Sequence, residues 1–312
     1  MGAFVVGASG QGRGSKAGQD QDEEDRCAHE APKHDPAATN RKALAPALPS
    51  GSVKPMKALL PALLAVFGSF ASLSAAIVEQ AVEYKSGDVL CEGWQAYDDA
   101  MPSKRPGVLI IHQWTGVSDH EKEAARKLAS LGYNVLVADI YGKGIRPQPP
   151  AAGKEAGKYK ADRTLLRARA NAALDVLARD TRTDASKLAA TGYCFGGTAA
   201  IELARSGAKV LGVVSFHGGL DSPTPADGKN IKAKVLALHG ADDPFVAAKD
   251  IAAFKAEMKD HYVDWKFVSY PGAVHSFTHK AAGNDNSKGA AYNADADRDS
   301  WYQMEQFLKR LF

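Results

Sequence analysis

Runs of Val, Leu and Ile without polar alternation recur through the last two thirds of this chain: GVLII at 107–111, NVLVA at 134–138, VLGVVSF at 210–216 and VLAL at 235–238. A strand with one face in water alternates apolar and polar residues, whereas a strand covered on both faces does not. Segments of helical spacing separate these runs, at 120–133, 164–179, 198–205, 247–259 and 300–311. Buried strands alternating with helices point to an α/β fold with a mostly parallel, doubly wound sheet. KLAATGY (187–193) and DWKFVSY (264–270) read as further strands. Ahead of them, VEYKSGDVLCEGWQAYDD (82–99) alternates and turns at Ser86-Gly87-Asp88, the pattern of an N-terminal antiparallel hairpin.

Residues 77–312 suit one such domain. The 312-residue chain is 45% hydrophobic and 24% charged, which supports a buried core. Its 39 Lys and Arg against 36 Asp and Glu give a net charge of +3. With no basic run interleaved with aromatics, nothing here argues for nucleic acid. The cysteines Cys27, Cys91 and Cys194 are too few and too scattered for a disulfide framework. No Cys-x-x-Cys or spaced His pair suggests a metal, and no cofactor is expected.

Residues 1–55 are rich in Gly, Gln, Asp and Ala without helical or strand period, and read as disordered. Residues 56–76, MKALLPALLAVFGSFASLSAA, carry one Lys, an apolar stretch broken by Pro61 and Gly68, and small residues at Ser74 and Ala76. That is the layout of a secretory signal peptide. Its unbroken apolar run falls short of the roughly 20 residues a spanning helix needs. A signal works at a free amino terminus, so translation is expected to begin at Met56, with 1–55 an artefact of start-site choice. The product is then periplasmic or secreted, monomeric and without a stable membrane anchor.

In a doubly wound sheet, ligands bind beyond the carboxyl ends of the strands. Cys194 follows KLAATGY, Asp242 and Asp243 follow KVLALHG, and His275 follows DWKFVSYPGAV, so a nucleophile, an acid and a base end successive strands. Gly192-Tyr193-Cys194-Phe195-Gly196 matches the strand-to-helix elbow G-x-S-x-G of α/β-hydrolases, with Cys for Ser. Its glycines let strand and helix approach while the central residue takes a strained conformation. The order nucleophile, acid, histidine is also that of the α/β-hydrolase fold.

GYCFGG, HGADDPFV and PGAVHSF resemble the three active-site segments of the dienelactone hydrolase family, and HQWTGV resembles its oxyanion segment. The likeness runs in order from about residue 87 to 312. It implies Cys194 as nucleophile, His275 as base and Asp243 as its orienting acid, preferred to Asp242 because DPFV matches the family's D-x-F-V. It further implies an oxyanion hole from the backbone N–H groups of Trp114 and Phe195. The substrate is then a small ester or lactone, cleaved through a thioester acyl-enzyme. Gln113, Tyr193, Phe277 and His279 are expected in the substrate pocket.

The chain departs from that pattern in two places. Gln113 stands where family members commonly carry a glutamate, so Cys194 is expected to share its proton more freely with His275. His279 stands where an arginine would hold a substrate carboxylate; Arg163 and Arg167 lie in the intervening helix. Cys91 reads as a packed thiol, His112 and His239 as loop-bonding residues, and the Asp- and Asn-rich segment 281–299 as a solvated loop rather than a calcium site. Alternative functions are a ligand-binding protein on a hydrolase scaffold and a thioesterase. Glutamine amidotransferases share the Gly-x-Cys-x-Gly elbow, but their His-x-Glu pair is missing, since Ser276 and Phe277 follow His275. Export through the 56–76 segment predicts that N-terminal sequencing of the native protein starts near Ile77; a start at Gly2 or Ala3 would contradict it.

Overall fold

The computed structural model describes residues 76–312. The expected N-terminal extension and, but for Ala76, the signal segment lie outside these residues. Eight strands form one sheet in the order β1-β2-β4-β3-β5-β6-β7-β8. β1 (Ile77–Ser86) and β2 (Val89–Asp98) form the expected hairpin, turning at Gly87 with φ of 59°. β2 pairs antiparallel with β4 (Asn134–Ala138). β3 (Arg105–Ile111), β5 (Thr183–Tyr193), β6 (Gly212–Phe216), β7 (Lys234–Gly240) and β8 (Trp265–Tyr270) complete the sheet in parallel. Every residue of β4 and β6 is buried, which is why neither shows polar alternation.

Helices cover both faces. α1 (Asp119–Ser130) and α6 (Ala294–Leu311) bury Leu128, Met304 and Phe307 against one face. α2 (Ala151–Ala161), α3 (Arg163–Arg179), α4 (Phe195–Arg205) and α5 (Ala248–Asp260) bury Tyr159, Leu166, Ile201 and Phe254 against the other. Sequence periodicity missed α2. Gly153 and Gly157 lower its helix propensity, and its apolar face is only Ala152, Ala156 and Tyr159. Tertiary packing holds it in place, with the Tyr159 hydroxyl donating to the Tyr141 carbonyl at 3.2 Å.

The turn from β5 into α4 is the tightest packing in the fold. A Cβ on Gly192 would lie 2.0 Å from the Gly196 carbonyl oxygen, and one on Gly196 would lie 2.0 Å from that of Ile111 on β3. Backbone meets backbone there, and no rotamer change can make room. Gly196→Ala should therefore cost about 3 kcal/mol or more, read by urea unfolding of residues 77–312 against wild type. An unchanged midpoint would mean that the contact relaxes freely.

Candidate active site

Between strand and helix, Cys194 is held at φ 55° and ψ −116°, a conformation that non-glycine residues rarely adopt. Its position N-terminal to α4 sets the Phe195 N–H and the positive end of the helix dipole beside the thiol, while the Gly197 N–H donates to the Cys194 carbonyl at 3.0 Å. The imidazole of His275, in the loop after β8, brings Nε2 to 3.0 Å from the Cys194 Sγ. On its other side, Nδ1 lies 2.8 Å from the Asp243 Oδ2 in the loop after β7. Asp243 is buried, and its second oxygen accepts the Phe245 N–H at 2.8 Å. The neighbouring Asp242 turns away and accepts the Gly272 N–H at 3.1 Å. One acid, one histidine and one thiol thus form a continuous hydrogen-bonded line.

The electrostatics follow from that line. Burial opposes ionisation of Cys194, but the adjacent His275 outweighs it and the thiol is held below its ordinary range, with the Phe195 N–H and Lys160 adding to the effect. Burial likewise opposes protonation of His275, and the facing thiolate together with Asp243 raises it above the ordinary imidazole range. Both directions favour a thiolate–imidazolium pair over the neutral pair.

The segment 112–118 is fixed from two sides. The buried Glu121 carboxylate accepts the N–H groups of Gln113 at 3.1 Å and Ser118 at 3.0 Å. The Trp114 carbonyl accepts the Tyr141 hydroxyl at 2.9 Å. Among the described residues no acceptor pairs with the Trp114 N–H. Trp114 and Phe195 line, with Cys194 and His275, a cavity of about 470 Å³. α2 closes one wall with Gly153, Ala156, Gly157 and Lys160, and Phe245, 65% exposed, stands edge-on to His275 at the rim.

Gln113, Tyr193, Phe277 and His279, expected around the substrate, do not line this cavity. Tyr193, the last residue of β5, packs on the α1 and α6 face of the sheet, whereas Cys194, in the turn that follows, packs on the other face. Tyr193 and His279 border instead a separate cavity of about 210 Å³ with His120 and Trp301. Gln113 is buried, its amide 3.3 Å from the His279 Nδ1, and Phe277 is fully buried against Tyr270. Arg163 pairs with Asp221 at 2.6 Å, and Arg167 with Glu202 at 2.8 Å and Asp227 at 2.7 Å, so these arginines are committed to protein carboxylates.

Sequence reasoning missed three contributors. Lys160 lies on the unrecognised α2. Thr198 has a buried hydroxyl without a partner and lines the cavity. The segment read as a solvated loop backs His275, whose N–H donates to the Gly289 carbonyl at 3.2 Å and whose carbonyl accepts the Ala291 N–H at 3.0 Å. Only chain proximity to His275 could have flagged that segment. Among the described residues, no group of three or more His, Cys, Asp or Glu is arranged to hold a metal ion.

A model of the dienelactone hydrolase family matches residues 94–312. A solved dienelactone hydrolase-like promiscuous phosphotriesterase from metagenomic libraries is 38% identical, with a TM-score of 0.73, covering 77% of this chain and all of its own. A Saccharolobus solfataricus protein provisionally named carboxymethylenebutenolidase is 26% identical over 238 residues, 65% of this chain and 89% of its own. An uncharacterised Caenorhabditis elegans protein is 34% identical over 152 residues, 47% of this chain and 94% of its own. The ion pair predicts that iodoacetamide labels Cys194 rapidly at neutral pH. Protonation of the thiolate should slow labelling as the pH falls, with an inflection well below the ~8.5 of a free thiol, and His275→Ala should move that inflection up. A wild-type profile rising only around pH ~8.5 would exclude the pair.

Proposed function

The chain belongs to the dienelactone hydrolase family, and from that premise we propose that it hydrolyses small esters or lactones through a thioester on Cys194, with His275 and Asp243 completing the triad. The observation that carries this reading is the hydrogen-bonded line from Asp243 through His275 to Cys194 beside an open cavity.

The Cys194 thiolate attacks the carbonyl carbon, and the Trp114 and Phe195 N–H groups hold the resulting oxyanion. When the tetrahedral adduct collapses, the carbon–oxygen bond of the alcohol portion breaks and the leaving oxygen takes the proton from the His275 Nε2. The neutral imidazole then removes a proton from water, whose oxygen attacks the thioester. Release of the acid restores the thiolate and imidazolium. Asp243 keeps the His275 Nδ1 protonated and offsets the positive charge on the ring throughout.

Substrates carrying a carboxylate fit this cavity best. Besides His275, Lys160 is its only cation among the described residues, and it makes no ion pair there. The unpartnered Thr198 hydroxyl lines the same cavity, and the space over Gly219 is bordered by the Thr198 Oγ1, the Lys160 Nζ and the Oδ1 of Asp221, whose carboxylate is already engaged by Arg163 through Oδ2. Lys160 would thus take the place of the arginines committed elsewhere. We also read the 56–76 segment as directing export.

A panel of neutral and carboxylate-bearing p-nitrophenyl esters, lactones and thioesters tests the activity. Cys194→Ala should lower kcat by about 10³-fold or more on every substrate turned over, and wild-type rates in that variant would sink the reading. A panel with no turnover would favour a binding protein.

On the same panel, Lys160→Ala should raise KM for carboxylate-bearing esters about 10-fold more than for neutral ones, the worth of one charge-assisted contact, while the loss of its help to the Cys194 thiolate lowers kcat for both classes alike. An equal effect on KM for both ester classes would remove the anion subsite.

A further inference from the structure

Directly beneath the site, His217 follows β6 and is completely buried. Its φ of 39° is unusual for a residue other than glycine. Its own N–H donates to the Leu238 carbonyl of β7 at 2.8 Å, which fixes the backbone onto the sheet. The ring reaches both halves of the site. The Cys194 N–H is shared between the Phe216 carbonyl at 3.0 Å and the His217 Nδ1 at 3.2 Å. The His217 Nε2 lies 2.9 Å from the Thr278 Oγ1, in the loop that carries His275. The ring also stands edge-to-face with His275, centroids 5.2 Å apart, and with Phe277 at 5.0 Å.

The tautomer follows from these partners. A backbone N–H can only donate, so Nδ1 accepts with its lone pair and the proton resides on Nε2, which donates to Thr278. His217 is therefore neutral. A proton on Nδ1 would face the Cys194 N–H donor to donor and would bring a second cation against the His275 imidazolium.

We infer that His217 is a positioning residue: a neutral, doubly hydrogen-bonded strut that sets the distance between the Cys194 elbow and the His275 loop. The inference rests on the proposed hydrolase reading for its meaning, but not for its test. A 3.0 Å contact between Sγ and Nε2, on segments 81 residues apart, needs a common reference. Without one, the elbow and the loop after β8 are independent connections whose relative motion opens the ion pair. The ring of His217 supplies that reference through one bond to each segment, and its contact with His275 limits rotation of the imidazole. Asp243 orients the same imidazole from the opposite side, so the base is held between a charged partner and a neutral one.

Two variants cut the strut from opposite ends, His217→Leu at the ring and Thr278→Val at its partner, and their combination tests whether they act on one element. The charged and titratable groups facing the Cys194 thiol are His275, Lys160 of α2 and Tyr141, and all three are retained in these variants. After folding is verified by circular dichroism, the iodoacetamide profile of Cys194 is measured across pH. Its inflection should move up toward the free-thiol value in both single variants. On a neutral ester turned over by the wild type, kcat should fall about 10-fold or more while KM changes less than about threefold, since the binding walls are untouched. The double variant should be no worse than the poorer single one. A residue that only packs would lower stability and leave the inflection in place. An unmoved inflection with kcat within about twofold in either single variant, or losses that multiply in the double, would overturn the assignment. If His217→Leu does not fold, Thr278→Val decides alone. Because alkylation needs no turnover, the inflection would still decide the role of the strut in a protein that hydrolysed none of the esters.

Discussion

The contact on which the site depends is the backbone-to-backbone packing of the first turn of α4 against β3 and β5. Gly192 and Gly196 bring peptide groups to separations that no side chain permits. The helix therefore starts almost inside the sheet, and Cys194 is held at a positive φ with its thiol beside the Phe195 N–H. The far end of α4 is anchored as firmly. The fully buried Arg205 is bonded to the Glu257 Oε1 and Oε2 at 2.9 and 2.5 Å and to the Glu202 Oε1 at 2.8 Å. Removing Arg205 would leave the buried Glu257 carboxylate uncompensated, a loss of about 3–5 kcal/mol, so the network opposes any movement of α4 that would relax the elbow.

Charge at the site is arranged by exclusion as much as by attraction. Desolvation disfavours both the thiolate and the imidazolium, and the contact of each with the other shifts it toward its charged form. Lys160 and the dipole of α4 add positive potential on the thiolate side, and Asp243 adds negative potential behind the imidazole. His217, packed against His275, is kept neutral by burial and by the charge of His275 itself. The buried Gln113 amide lies 3.3 Å from the His279 Nδ1 and does not line the cavity of Cys194.

The two cavities lie on opposite faces of the sheet. Tyr193, the last residue of β5, borders the one between α1 and α6, and the turn at Cys194 carries the thiol to the one walled by α2. The same geometry explains why proximity in sequence misassigned the pocket wall. Tyr193, next to the thiol, and Phe277 and His279, close to His275 in the chain, fall on the other side or in the core. Lys160 and Thr198, reached only through α2 and the body of α4, stand against the thiol side.

The sequence by itself determined the class of fold, the hairpin at its start, and the strand ends where Cys194, Asp243 and His275 stand. These features are local: an apolar run, a turn dipeptide and a glycine-flanked elbow carry their physics within a few residues. It also selected Asp243 over Asp242, through the likeness of the DPFV stretch to a known motif. Tertiary structure alone decided what depends on groups far apart in the chain. It made a helix of the glycine-containing α2, whose burial outweighs its weak propensity. It committed Arg163 and Arg167 to Asp221, Glu202 and Asp227. It set the segment around Gly289 behind His275, and it brought the buried ring of His217 between the Cys194 elbow and Thr278. Hydrogen bonds and ion pairs of this kind are chosen by three-dimensional proximity, and no periodicity along the chain encodes which partner a buried polar group will meet.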